Sequence, residues 1–169
     1  MTDSVALAPP HLVAVLAQHG VTADFHNPGV PMPTVASAAA AMSVPVEQIL
    51  KTLLFVGADG DYIVAIAGGM KRIDRALLAQ VSGLVRPRVA SSEEVLAITG
   101  YPAGGVAPLG FTRVVRVIVD SHVLGLSVAY GGGGREDLLL RVDPADVVRL
   151  NRADVASILQ TDDAPSVAG

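Results

Sequence analysis

Aromatic side chains are scarce in this sequence, and that scarcity limits the folds open to it. Its 169 residues include three Phe, three Tyr and no Trp, yet 51% are apolar. The core therefore has to be assembled from Val, Leu, Ile and Ala. Cysteine is absent, which excludes disulfides, thiolate catalysis and thiolate metal sites. Charged residues make up 17%, too few beside so much apolar surface for a disordered chain. The length suits one domain, expected over residues 1–160, with 161–169 (TDDAPSVAG) as a frayed tail. No apolar run reaches the roughly 18 residues of a membrane span. MTDSVALAPPHL lacks the basic start and long apolar stretch of a secretory signal. A soluble, cytoplasmic protein without a membrane partner is expected. The formal net charge of −4 means that a nucleic-acid partner would need a local basic patch. Lys51, Lys71, Arg72, Arg75, Arg86 and Arg88 supply one if the fold gathers them; otherwise they are solvated surface charges.

Glycine and proline punctuate the chain into short elements. Pro9 and Pro10 open HLVAVLAQHG, apolar at helical spacing, with Gly20 as its C-cap. VTADFH is a short strand. The loop NPGVPMP leads to Thr34, an N-cap for the helix VASAAAAM. Leu53 to Val56 and Tyr62 to Ala67 read as strands joined by a turn at Asp59-Gly60. IDRALLAQVSG reads as a helix and RPRVA as a short strand. Ser91 and Glu94 have capping-box spacing before a helix that stops at Gly100. RVVRVIVD, LSVAYG and DLLLRV are further strands, and DPADVVRL is a helix with Pro144 at its start. RADVASIL fits a strand or a short helix. The order predicts an α+β fold, a mixed and mainly antiparallel sheet or barrel-like core surrounded by helices.

Chemistry-bearing motifs are few. There is no G-x-S-x-G elbow and no H-E-x-x-H helix. His11, His19, His26 and His122 lack metal-ligand spacing, so no metal site is expected. Glu93-Glu94 and Asp162-Asp163 are sequence neighbours, which do not face each other on a helix. Three features remain. Gly131 to Gly134 form a run that can allow close backbone approach or cradle an anion. GYPAGGVAPLG sets Gly104 and Gly105 between Pro102 and Pro108, a composition for preorganised amide donors or for an ordinary long loop. Lys51 interrupts the apolar stretch ILKTLLFV and either snorkels to solvent or points into a cleft.

Taken in order, these features resemble a known family. Ile49-Leu50-Lys51-Thr52-Leu53 is similar to its lysine-bearing strand, and residues 100–110 to its G-Y-x-x-G-G-x-x-P-x-G loop. The strand ending at Asp120 and the closing Gly132-Gly133-Gly134-Arg135 turn follow in register, and the resemblance runs from about His11 to Ile158. The family is that of the YbaK and ProXp deacylases and the editing domain inserted in bacterial prolyl-tRNA synthetases.

The resemblance implies a compact α+β domain that hydrolyses the ester of a mischarged tRNA, typically Cys-tRNA(Pro) or Ala-tRNA(Pro), without cofactor, metal or protein nucleophile. It implies tRNA as partner, with prolyl-tRNA synthetase as a second one. Lys51 and Gly105 carry over as the catalytic positions. Lys51 would hold the terminal phosphate or orient the ester, and amides around Gly104–Gly105 and Gly132–Gly133 would stabilise the oxyanion. Water, a ribose hydroxyl or a substrate thiol would complete the chemistry. His26 and Thr52 would shape the cleft. Leu139 stands where some cysteine-specific members carry aspartate, and the closing turn has extra glycine. No synthetase module fits in the remaining chain, so a free-standing enzyme acting in trans is expected, with a non-catalytic tRNA- or synthetase-binding module as the alternative.

Overall fold

A computed structural model of the chain describes residues 4–161; the expected frayed tail, from residue 162 onward, lies outside them. After a 3-10 turn at Ser4–Leu7 come α1 (Pro10–Gln18), β1 (Asp24–His26), α2 (Val35–Met42), β2 (Leu50–Val56) and β3 (Tyr62–Gly68). Next are α3 (Arg75–Ser82), β4 (Arg88–Val89), α4 (Ser92–Thr99) and β5 (Arg116–Asp120). β6 (Ala129–Gly132), β7 (Leu139–Val142), α5 (Pro144–Asn151) and β8 (Asp154–Ala156) complete the fold. The ambiguous RADVASIL segment is thus a strand.

The strands form two sheets, ordered β1-β7-β6 and β4-β2-β3-β5-β8. Pairing is antiparallel except for β3 with β5 and β5 with β8, which are parallel. An isolated parallel bridge, Ile49 to Tyr130, links the sheets. They do not close into a barrel, because β4 and β8 remain as edges of the larger sheet. Both edge strands are very short, which limits pairing with other chains.

Local chemistry sets the element ends. Thr34 accepts from the Ser37 amide while Ser37 accepts from the Thr34 amide, a reciprocal cap on α2. Ser91 and Glu94 make the same box on α4, and Asp74 caps α3 by accepting from the Ala76 and Leu77 amides. Pro144 occupies the first turn of α5 behind its cap Asp143. Gly83 and Gly100 end α3 and α4 in the left-handed region. His19, rather than Gly20, caps the end of α1.

β3 is central in its sheet and buried on both faces, which is why it reads as an unbroken apolar run. One face of the larger sheet packs Leu54, Val64 and Ile66 with α1 and with Leu140 and Val142 of the smaller sheet. The other face packs Phe55, Ile63 and Ala65 under α3 through Leu78. α2 lies over the seam between the sheets, where Ala38 and Ala39 meet Ile49 and Leu139. The expected aliphatic core is what forms, with Phe55 and Tyr101 among its fully buried side chains.

Candidate active site

Lys51 sits one residue inside β2 and is half-buried. Its ammonium donates to the Gly69 carbonyl at 2.7 Å and to the Lys71 carbonyl, both in the strap that follows β3. Burial pulls the Lys51 pKa below its usual value, and the carboxylate of Asp120 partly opposes that shift. Asp120 is itself fully buried at the end of β5, where it accepts from the amides of His122 and Ile158 and lies 3.1 Å from His122 Nδ1.

Lys51 lines a cleft of about 850 Å³ with Thr34–Ala36 at the start of α2, the strap 69–72, and the start of α3. Of the basic residues singled out in the sequence, Lys51, Lys71, Arg72 and Arg75 gather here. Arg88 is bound instead to Glu94 in a two-pronged pair at 2.7 and 2.9 Å.

The two glycine-rich segments pack backbone against backbone. The Gly134 amide donates to the Gly105 carbonyl at 2.9 Å. A Cβ on Gly105 would lie 2.5 Å from the Arg135 carbonyl carbon, and one on Gly131 would lie 2.8 Å from Pro108 Cδ. A Cβ on Gly132 would meet the Val106 carbonyl, and one on Gly133 would lie 2.8 Å from Leu138 Cγ. Glycine is therefore required at these positions by close approach. Gly131 and Gly132 belong to β6, so the turn proper starts at Gly133. Tyr101 anchors the loop from below, its buried hydroxyl shared between the carbonyls of Leu109 and Gly110 at 2.9 and 3.0 Å.

Several amides in these segments are already committed. Gly105 donates to Pro102, and Gly133 to Leu138. Among the described residues the amides of Gly104 and Val106 donate to no protein acceptor. Gly104 lines a second cleft, of about 640 Å³, with residues 29–33, Asn27, Glu136 and Asp137. The two clefts adjoin across Pro33 and Thr34.

His26 and Thr52 take separate places. His26 pairs with Leu139 across β1 and β7 and meets the Tyr130 ring edge-on at 5.8 Å. Its Nε2 lies 2.9 Å from Asp24 Oδ1, but at an angle that makes no hydrogen bond, so this buried nitrogen is unsatisfied. Thr52 is buried and its hydroxyl also has no hydrogen-bond partner. Successive strand residues point to opposite faces: Thr52 shares the Leu50 and Leu54 face, whereas Lys51 opens to the cleft with Leu53 and Phe55. Sequence reasoning missed Tyr130 and the loop from Asn27 to Pro33 as site residues; neither carries a motif, and only tertiary packing brings them to the site. No group of three or more His, Cys, Asp or Glu among the described residues is arranged to hold a metal ion, and no described helix is long and apolar enough to cross a membrane.

The family of the chain that carries this cleft and these loops follows from its sequence. Residues 30–150 match the aminoacyl-tRNA editing domain family, and the chain belongs to that family. Among its relatives is the proline–tRNA ligase of Nitratidesulfovibrio vulgaris strain Hildenborough, 32% identical over 143 residues, covering 80% of this chain and 24% of the ligase. The chain thus spans about a quarter of that relative's length. The Bacillus subtilis protein YwhH, itself uncharacterized, is 29% identical over 68% of this chain and 72% of its own. Of solved structures, hypothetical protein APE2540 superposes with a TM-score of 0.82 at 32% identity, over 89% of this chain and 99% of that one. A protein described as a proposed trans-editing enzyme for prolyl-tRNA synthetase superposes with a TM-score of 0.82 at 27% identity, over 95% of this chain and 99% of that one.

Proposed function

We propose that the protein is a cytoplasmic deacylase that hydrolyses the ester of mischarged tRNA in trans, with Ala-tRNA(Pro) or Cys-tRNA(Pro) as substrate. The observation that carries this reading is Lys51, a half-buried lysine in a cationic cleft within the region that matches the editing family. The solved neighbour described as acting in trans, matched over nearly its whole length, supports the mode of action.

In this reading the ester lies where the two clefts adjoin. The Lys51 ammonium leaves its carbonyl partners to hold the terminal phosphate or orient the ester. The amides of Gly104 and Val106, which lack protein acceptors, donate to the oxygen that gains charge as water attacks. Gly105, Gly132 and Gly133 keep that loop close to the β6–β7 turn. A substrate group such as the ribose hydroxyl takes part in proton transfer. The ester C–O bond then breaks, leaving a free amino acid and an intact tRNA. Thr52 and His26 offer unsatisfied polar atoms beside the seam and shape the amino-acid end. Such a second, hydrolytic site is useful because a synthetic site discriminates poorly against smaller amino acids.

Incubating the purified chain with Ala-tRNA(Pro) and Cys-tRNA(Pro) tests the proposal. Release of the amino acid, lost in Lys51→Ala, supports it. Tight tRNA binding with no release favours a binding module instead, the outcome to which Leu139 in place of aspartate would contribute.

A further inference from the structure

Arg72 and Arg75 are exposed, lie on the rim of the Lys51 cleft, and form no ion pair among the described residues. The backbone that carries them is fixed from several sides. The Gln160 amide donates to the Arg72 carbonyl at 2.8 Å, and the Asp74 amide to the Ile158 carbonyl at 2.7 Å. Ile73 bridges Leu159. Asp74 shares the cleft, but its carboxylate is turned to the amides of Ala76 and Leu77. Two guanidinium groups are thereby presented from a rigid support in a protein whose net charge is −4. Unpaired arginines kept together against the overall charge suit a partner that carries closely spaced anions.

The cleft walls narrow the partner further. Met70 and Val89, 65% and 45% exposed, supply apolar surface in the same cleft, with Leu53 partly exposed beside them. A single-stranded nucleic acid offers alternating phosphates and apolar base faces, and grooves that bind it combine cations with apolar platforms. An acidic peptide would use the cations but leave the apolar walls without purpose.

We infer that the strap 69–72 and the start of α3 form a track for the phosphodiesters of a single-stranded RNA 3′ end, gripped by Arg72 and Arg75 and leading to Lys51. The inference rests on the deacylase reading for the direction of the strand. It adds a binding surface outside the catalytic positions.

The test uses the full chain, fluorescence anisotropy with uncharged tRNA(Pro), and Arg72→Ala/Arg75→Ala. Both side chains are exposed and unpaired, so the fold is expected to persist, as a thermal melt will check. Binding should weaken at least tenfold, and the slope of log K against log salt should fall by about 0.7 for each arginine removed. Arg72→Lys/Arg75→Lys should retain the slope, and Arg113→Ala, at an exposed arginine that does not line the cleft, should bind as the unaltered protein does. In deacylation, the double alanine variant should raise KM and leave kcat within about twofold, since it removes binding made equally in ground and transition states. RNA affinity and salt slope unchanged in the double alanine variant would overturn the inference, as would a loss of affinity for a polyglutamate peptide but not for RNA. A protein that binds RNA through the two arginines yet releases no amino acid would sink the deacylase reading and leave the track standing. Full hydrolysis with no arginine dependence would do the reverse.

Discussion

The ammonium of Lys51 rests on two carbonyl oxygens and feels the carboxylate of Asp120. Burial outweighs that attraction, so its pKa in the folded protein lies below the usual 10.5. The unfolded chain then binds the proton more tightly, and stability rises with pH between the lowered pKa and 10.5. A lysine-resolved NMR titration should find Lys51 titrating below 10.5, and Asp120→Asn should move it lower still. A Lys51 midpoint at or above 10.5 would contradict the burial argument. Thr52 carries a second cost to stability. Its buried hydroxyl has no partner, and a buried unsatisfied group costs about 1–3 kcal/mol. Thr52→Val should therefore raise the denaturation midpoint of the free protein and lower its deacylation rate. Gly105 is constrained by space rather than by conformation, since its φ is not in the left-handed range. With Arg135 backbone 2.5 Å from any Cβ, Gly105→Ala should destabilise the protein by about 1–3 kcal/mol, as overpacking does. Chemical denaturation measures both effects.

Among the elements, α4 shows how local chemistry carries tertiary order. Its reciprocal cap is reinforced by Arg88 from β4, which binds Glu94 with both prongs of its guanidinium. That pair, together with the Ser91 amide, draws the Glu94 pKa from 4.5 to about 2. A depressed carboxylate stabilises the fold fully above its unfolded pKa, and the contribution is lost as pH falls through the folded value. The loss is thus expected between pH 4.5 and about 2. Ser91→Ala should cost about 1 kcal/mol in urea denaturation, whereas Arg88→Ala should flatten the acid limb. Because the pair is exposed, its effect should fade in high salt. The starts of α2, α3, α4 and α5 are legible in the sequence because Thr34, Asp74 and Ser91 accept from amides of their own first turn, while Pro144 has no N–H to satisfy and its ring presets the first helical turn. Strand limits were less so. β2 begins at Leu50 rather than at Leu53, and β6 runs on through Gly131 and Gly132. Those residues are held by partner strands, which no local pattern reveals.

At the scale of the whole molecule, the family was readable from the order of the lysine strand and the glycine loops, while the geometry between them was not. The interlock of Gly105 with Arg135, the bridge from Ile49 to Tyr130 and the opposite facing of Lys51 and Thr52 arise from packing of segments distant in sequence. The basic patch shows the same division. The sequence offered six cations without saying which would meet; folding collects four in one cleft and gives Arg88 to Glu94. The resulting molecule has a cationic cleft at Lys51 and a second cleft at Gly104, joined at the loop before α2. In the proposed deacylase reading, one end takes RNA and the other the amino acid. The most direct test is a deacylation panel over tRNAs charged with wrong and right amino acids, run with the unaltered chain and with Lys51→Ala. The account predicts release from Ala-tRNA(Pro) or Cys-tRNA(Pro), sparing of Pro-tRNA(Pro), and a fall of about a hundredfold or more in Lys51→Ala, the order of effect of removing one preorganised donor. No release from any mischarged tRNA, or full activity in Lys51→Ala, would contradict it.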